Sequence, residues 1–343
     1  MTKIERFLAT VERRSVDRPA AWLGMPVGET IPLLMVHVGA TDLEALKRAL
    51  GDDVWPVEVP FNRPPANHVA CAFDFAKTGD GDYEERSLTV PGFFEGMTDP
   101  ACLPDFPWPV PREHMNEIEC RAAAADAPAD FAKLGIMWSA HFQDACSAFG
   151  MQDALMTMLT APDMFRAVIA RIVEFYLEAN EIFYGATKGL LHAVLIGNDF
   201  GSQTGLMLSP DNLREFVFPG TKILIDQAHA HGLKVIHHSC GAVAEVIPDL
   251  IELGADVIHP IQSLATGMEP DRLAREFGGR VSFCGGVDVQ ELLSHGRPEA
   301  VRVAVRGLVE LFPTGLVVSP SHEAVLPDVP PANIVAMFDA LRG

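Results

Sequence analysis

Basic residues are scarce in this chain: lysine and arginine number 26 against 46 aspartates and glutamates, a formal charge of −20. That balance argues against nucleic acid or an anionic membrane as partner, because both are held by a basic face. It also disfavours a polyanionic substrate unless arginines gather locally. Long apolar runs are missing too. None approaches the roughly 20 residues that span a bilayer, and no apolar signal core follows the Met1–Arg6 start, so no membrane association is expected. Cysteine is thin: six residues, at 71, 102, 120, 146, 240 and 284 of 343, lie far below the density of a disulfide scaffold. A reduced, cytoplasmic protein is the expectation. No Gly-x-Gly-x-x-Gly turn follows the first apolar run, which weighs against an open doubly wound nucleotide-binding sheet.

What is present is a regular alternation. Apolar residues are 48% of the chain and charged ones 21%, an ordinary globular mix. Ile4, Phe7, Leu8 and Val11 recur at helical spacing and predict a first helix over Lys3–Arg13. Buried strands are predicted at Ala20–Met25, Val54–Phe61, Gly135–Trp138, Ala193–Ile196, from Lys234, at Asp256–Ile261, Arg280–Cys284 and Gly315–Val318. Helical tracts separate them, at Leu43–Leu50, Glu113–Ala124, Asp153–Tyr184, Pro210–His231, Val243–Leu253, Asp271–Phe277, Pro298–Leu311 and Pro331–Leu341. Strands alternating with helices of this length mean parallel βαβ units, and eight such strands close a (β/α)8 TIM barrel. The expectation is one domain over residues 1–343 with an N-terminal helix. A loop-rich insertion over about residues 62–111, with a hairpin at Ser87–Val90, would cap a site, since so long a loop is rare otherwise.

In a parallel barrel every strand C-terminus lies on one face, and that face carries the chemistry. Successive strand ends here read Asn198-Asp199, His238-Ser239-Cys240, His259 with Gln262, Gly285-Gly286-Val287-Asp288, and Ser319-Pro320-Ser321-His322. Lys234 to Gly241 is the pivotal stretch. Side chains alternate along a strand, so His238 and Cys240 share a side and His237 takes the other. A histidine and a cysteine two apart can bind one soft divalent metal such as zinc, although cysteine is also a small buried hydrophobe. His238, Cys240 and His322 are the candidate ligands, with Cys284, Asp199 and Gln262 as further neighbours. Three protein ligands and an open position is the pattern of catalytic zinc.

Several of these residues have plainer readings. Asp199 and Asp288 suit helix caps, Cys284 suits a core position, and His259 before Pro260 suits a structural hydrogen bond. His141 follows a strand at the barrel mouth and is a candidate substrate contact. His229 and His231 sit at a helix end where cations suit the dipole, and carry no chemistry. Phe93, Phe94 and Trp108 in the insertion read as lid packing.

The chain resembles the uroporphyrinogen decarboxylase superfamily, which includes the cobalamin-linked methyltransferases. The matching stretches are Asp17-Arg18-Pro19, Gly197 to Gln203, Ser209-Pro210, His238-Ser239-Cys240-Gly241, Pro260-Ile261-Gln262, Gly285-Gly286-Val287-Asp288 and Pro327 to Asn333. True decarboxylases carry an arginine-rich segment near the N-terminus that holds substrate carboxylates. The corresponding stretch here, Trp22 to Glu29, has no arginine. The methyltransferase branch uses a zinc held by a His-x-Cys pair and a later cysteine. His238 and Cys240 match the pair, and His322 stands in the later cysteine's place.

The resemblance therefore implies a zinc-dependent methyltransferase or O-demethylase. It would move a methyl group between a small methylated substrate and a thiol or corrinoid-protein acceptor. His238, Cys240 and His322 would hold the zinc, with Cys284 as substitute or fourth ligand, while Asp199, Gln203 and Gln262 orient substrate or ligands. A corrinoid would be carried by a partner protein, and a homodimer is an assembly the superfamily contains. The alternatives are a decarboxylase acting on a smaller acid and a catalytically silent barrel that binds a corrinoid or tetrapyrrole.

Overall fold

Apolar runs alternating with amphipathic helices give parallel βαβ units, as the periodicity requires. The computed structural model describes residues 1–63, 67–76 and 89–342. Seven strands pair in chain order: β1 (Val54–Glu58), β2 (Ala132–Trp138), β3 (Ala193–Gly197), β4 (Lys234–His238), β5 (Val257–Ile261), β6 (Ser282–Val287) and β7 (Leu316–Pro320). Every pairing is parallel. The result is a curled parallel sheet of TIM-barrel-like kind. Among the described residues, no helix is long and apolar enough to cross a membrane.

The strands read as unbroken apolar runs because both faces are covered. Val54, Leu134, Ile136, Leu195, Ile236, Val257, Cys284 and Val317 form an inner cluster with Trp22, against which Phe7 and Val11 of the first helix (Lys3–Val11) pack. A second, larger cluster lies between the sheet and the surrounding helices. At about 25 cal/mol per Å2, burial on both faces is the main term holding such a sheet.

The run Ala20–Met25, expected as a strand, is joined at Ala20–Leu23 to both edge strands by isolated hydrogen bonds and not by a ladder. Ala21 bridges Val318 of β7, with Trp22 N donating to Val318 O at 2.9 Å and Val318 N to Ala20 O at 2.8 Å. On its other side Asp53 N donates to Ala21 O at 3.0 Å. Two carboxylates take the amides a ladder would have used: Asp53 accepts from Ala21 N at 2.9 Å and Asp52 from Leu23 N at 3.1 Å. Asp53 also binds Arg6 at 2.7 Å and Arg18 at 2.8 Å, while the buried Lys47 pairs with Asp52.

Other differences have local causes. The tract expected as one helix over Asp153–Tyr184 is two, Met151–Thr160 and Pro162–Ala186, because Pro162 starts a new helix at its first turn. The tract at Pro210–His231 contains a wide π turn at Leu213–Val217. A helix at Thr30–Val38 gives no amphipathic signal because it is apolar on nearly every side. Strand β1 stops at Glu58 and does not reach Phe61. Of the expected hairpin at Ser87–Val90, residues 87 and 88 lie outside the described residues.

The described part of the insertion is an aromatic cluster packed against the helix Pro162–Ala186. Phe73 lies 4.8 Å from Phe175 of the helix Pro162–Ala186, Phe75 lies 5.0 Å from Phe106, and Phe106 lies 4.7 Å from Trp108. Such ring pairs add about 0.5–1.5 kcal/mol each beyond their burial. Beside the cluster, Tyr176 Oη donates to Asp144 Oδ2 at 2.6 Å. Burial pushes the Asp144 carboxyl up to about 7, against the opposing pull of that hydrogen bond.

Asp53→Ala leaves Arg6 and Arg18 without their shared counter-charge. It is expected to cost about 3–5 kcal/mol, as for breaking other buried ion pairs. Urea melts at low and high salt should show the same loss, since a buried pair is little screened. For Asp144 the sign is fixed by its raised folded-state pKa. An unfolded carboxyl releases its proton near pH 4, while the native state holds it to about 7. The native state binds more protons in that window, so stability falls as pH rises from about 4 to about 7. Denaturation midpoints of Asp144→Asn across this range should lack that part of the slope.

Candidate functional site

The site begins with the two-residue period of β4. Ile236 points inward, so His238 does too, at the end where the strand emerges. Gly197 at the end of β3 runs against it at φ +155°, and a Cβ there would lie 2.1 Å from His238 O. Beyond, Gly241 at φ +84° packs backbone to backbone on Gly201, where a Cβ would meet the Gly201 carbonyl carbon at 2.5 Å. No other residue allows so close an approach, and it is this approach that sets Asp199 beside Cys240. Cys240 N donates to Asp199 Oδ1 at 2.8 Å, and Phe200 N to Ser239 Oγ at 3.0 Å.

Three different donor atoms converge here. His238 Nε2 lies 3.3 Å from Cys240 Sγ and 3.2 Å from Asp199 Oδ1. On ordinary bond lengths, two imidazole or carboxylate ligands of tetrahedral zinc sit about 3.3–3.5 Å apart, and one of them and a thiolate about 3.5–3.6 Å. The separations and the nitrogen–oxygen–sulfur chemistry both fit a zinc ion. His322, expected as the third ligand, lies in neither group of converging donor atoms among the described residues but hydrogen-bonds Cys240. Its Nδ1 accepts from Ala324 N at 3.0 Å, which leaves Nε2 for Cys240. The hydrogen bond to Cys240 raises the His322 pKa, with burial opposing.

The charges hold one another. Burial alone would push the Asp199 carboxyl up, but hydrogen bonds from His238 and the Cys240 amide outweigh it and set its pKa at about 2. Burial alone would lower His238. Asp199, Cys240 and the charge of Glu323 overcome that and raise it well above its ordinary value. Burial, helped by the charges of His238 and His322, pushes His259 far below.

The expected residues divide. Among the described residues, two groups bring metal-capable atoms together: Asp199 with His238 and Cys240, and His238 with His259 and Glu323. Gln262 accepts from Gly241 N at 2.8 Å and from Gln203 Nε2 at 3.4 Å, so both glutamines brace the cysteine loop. Cys284 is fully buried in the inner apolar cluster beside Val317 and lies in neither group; burial drives its thiol pKa far up.

His141, expected as a substrate contact, is buried at the start of the helix His141–Phe149. Its Nε2 lies 3.1 Å from Val217 O and its Nδ1 3.3 Å from Asn198 Nδ2. Nδ1 also lies 3.1 Å from Ser139 O, so both ring nitrogens are used in holding the chain. Asp288 is a helix cap, accepting from the amides of Gln290, Glu291 and Leu292. His229 and His231 pair with Asp256 and Glu181 at the surface.

Sequence reasoning missed two site residues. Gln143 grips Asp199 at both ends, with Nε2 at 3.1 Å from Oδ2 and Oε1 accepting from Asp199 N at 3.2 Å. Nothing in its local pattern marks it. Glu323 does have a signal, since it follows His322 directly at a strand end.

Known proteins agree with this architecture. No curated protein matches the chain. A methyltransferase from Methanosarcina mazei shares the fold over 100% of this chain and 98% of its own, at 17% identity and a TM-score of 0.68. A structure described as a vitamin-B12-independent methionine synthase of Listeria monocytogenes is 12% identical over 96% of both chains, with a TM-score of 0.42. The family model for uroporphyrinogen decarboxylase (URO-D) matches residues 129–343, a span from β2 to the C-terminus that holds β4, Asp199 and Glu323. This chain belongs to the uroporphyrinogen decarboxylase family.

Proposed function

We propose that the protein is a zinc-dependent methyltransferase or O-demethylase that takes a methyl group from, or gives it to, a small methylated substrate. The observation that carries the reading is the convergence of Asp199 Oδ1, His238 Nε2 and Cys240 Sγ on one point at the strand ends. These three would hold the metal, with His322 hydrogen-bonded to Cys240. A zinc ion there supplies Lewis acidity, which lowers the pKa of a bound thiol or oxygen ligand. One thiolate, where the related methyltransferases use two, leaves more positive charge for that purpose.

The chain's own residues do the rest. Asp199 stays ionised and is clamped by Gln143, so its position does not depend on the ligand. Gln262 and Gln203 fix the Cys240–Gly241 turn through the Gly241 amide. The acceptor we favour is a corrinoid on a partner protein or a small thiol, in a reduced cytoplasmic setting. The site offers no arginine clamp for a polycarboxylate: among the described residues, no arginine or lysine bonds to Asp199, His238, Cys240 or Glu323. We also propose that Ala20–Leu23 serves as the eighth strand of a closed barrel, joined to β7 and β1 through the Ala21 contacts.

Metal analysis tests the reading. Purified protein should carry about one zinc per chain. Cys240→Ser should lose it, and His322→Ala should keep the stoichiometry with weaker affinity. Wild type should also demethylate a member of a panel of O-, N- and S-methyl compounds with free corrinoid or thiol as acceptor, and Cys240→Ser should not. Zinc-free wild type that releases carbon dioxide from a small acid would replace this reading with a decarboxylase.

A further inference from the structure

His238 has two ring nitrogens and the two face different groups. Nε2 looks outward to Asp199 and Cys240. Nδ1 looks inward, 3.0 Å from His259 Nδ1 and 3.6 Å from Glu323 Oε2. A neutral imidazole that presents a lone pair at Nε2 carries its proton on Nδ1, and that proton needs an acceptor. His259 Nδ1 stands at hydrogen-bond length for the task. A ring that accepts at Nδ1 keeps its own proton on Nε2, and His259 Nε2 is a buried atom with no hydrogen-bond partner among the described residues.

Both inner residues are held from behind. His259 is wholly buried, with its ring 5.5 Å from Trp22. Glu323 is 8% exposed, and its carbonyl accepts from Met25 N at 2.8 Å. That carbonyl lies where a Cβ on Gly24 would come within 2.5 Å, so the backbone at Glu323 is seated against a position only glycine can fill. Its Oε2 has no hydrogen-bond partner among the described residues and also lies 3.7 Å from His322 Nδ1.

We infer that His259 and Glu323 are positioning residues that fix the tautomer and ring orientation of His238, so that Nε2 is presented toward Asp199 and Cys240. His259 takes the Nδ1 proton and Glu323 supplies the negative charge beside both imidazoles, His238 and His322. Neither touches substrate. The inference rests on the zinc reading of the same site and adds to it the groups behind the ligand. Partners of this kind change metal affinity by about 10–100-fold when removed.

The test uses full-length wild type, His259→Phe, His259→Gln, Glu323→Leu and Cys240→Ser, each checked for folding by circular dichroism. Zinc affinity is read by competition with a chromophoric chelator, and ligand geometry by the visible bands of the cobalt(II)-loaded protein. His259→Phe keeps the ring volume beside Trp22 but removes the acceptor. It should bind zinc about 10–100-fold more weakly, with shifted cobalt bands, while the cobalt–thiolate band persists. His259→Gln restores an acceptor oxygen and should recover most of the affinity. Unchanged affinity and bands in His259→Phe and Glu323→Leu would overturn the inference. So would zinc that survives Cys240→Ser but is lost in Glu323→Leu, because the inner group would then be the metal site itself.

A second readout separates this from the zinc reading. In metal-free protein the rate of iodoacetamide modification at Cys240, read on its peptide by mass spectrometry, reports the His238 ring 3.3 Å away. His259→Phe should slow it several-fold against wild type. Zinc-free wild type with that slowing would end the zinc reading and keep the positioning role; equal rates would end the positioning role.

Discussion

A strand delivers only every second side chain to one side, and the function proposed for this protein depends on that constraint at β4. The tandem His237-His238 splits into two fates. His238 enters the interior and meets Asp199, Cys240 and His259. His237 faces the outer helices, where it stacks on Phe200 at 5.8 Å, and burial drags its pKa down to about 3. The two rings differ by one position in sequence. A one-residue slip of β4 would exchange them and take the sulfur of Cys240 with it.

That register is enforced from neighbouring strands as much as from β4. His238 is opposite Gly197 on one side and His259 on the other. Glycine at the first of these allows β3 to turn tightly across the end of β4, and the turn carries Asn198 and Asp199. Asn198 spends its amide on Phe142 N and His141, tying the next helix to the same corner. Asp199 is left facing the histidine and the sulfur. Two adjacent polar residues are thus separated into a brace and a ligand-capable carboxylate by the same strand period.

Much of this was legible in the sequence, and the omissions follow one physical rule. The apolar period gave seven strands at nearly their observed places, because parallel strands covered on both faces leave an unmistakable pattern. It also placed His238 and Cys240 on one side. It did not distinguish Ala20–Leu23 from a strand, because that run is as apolar as the others and its neighbours' carboxylates, not its own residues, take the ladder's amides. Nor could it separate His141 from a mouth residue. His141 does follow a strand, but the next helix begins on it and turns the ring under Val217. Residues whose role comes from a partner far along the chain, such as Gln143 on Asp199, leave no local trace. Glu323 was reachable by the same reasoning that selected His322, and a buried glutamate at a strand end beside an apolar interior is the kind of local inconsistency that marks a site.

The two ends of the sheet use carboxylates in opposite ways, and the contrast identifies the working face. Asp52 and Asp53 precede β1, at the end where the strands begin. Asp52 accepts from Lys47 and from the amides of Leu23 and Val54; Asp53 accepts from Arg6, Arg18 and Ala21 N. Every oxygen is used, and the charges cancel within a few ångströms. At the end where the strands finish, buried polar atoms are left over: Ser139 Oγ, His259 Nε2, Ser319 Oγ and Glu323 Oε2 have no hydrogen-bond partner among the described residues. Burying a polar group unpaired costs about 1–3 kcal/mol. Asp52 and Asp53 carry no such cost, whereas these four atoms do. His259 Nε2 and Glu323 Oε2 belong to the group gathered around His238, at the end of the strands where a parallel sheet of this kind binds its ligand.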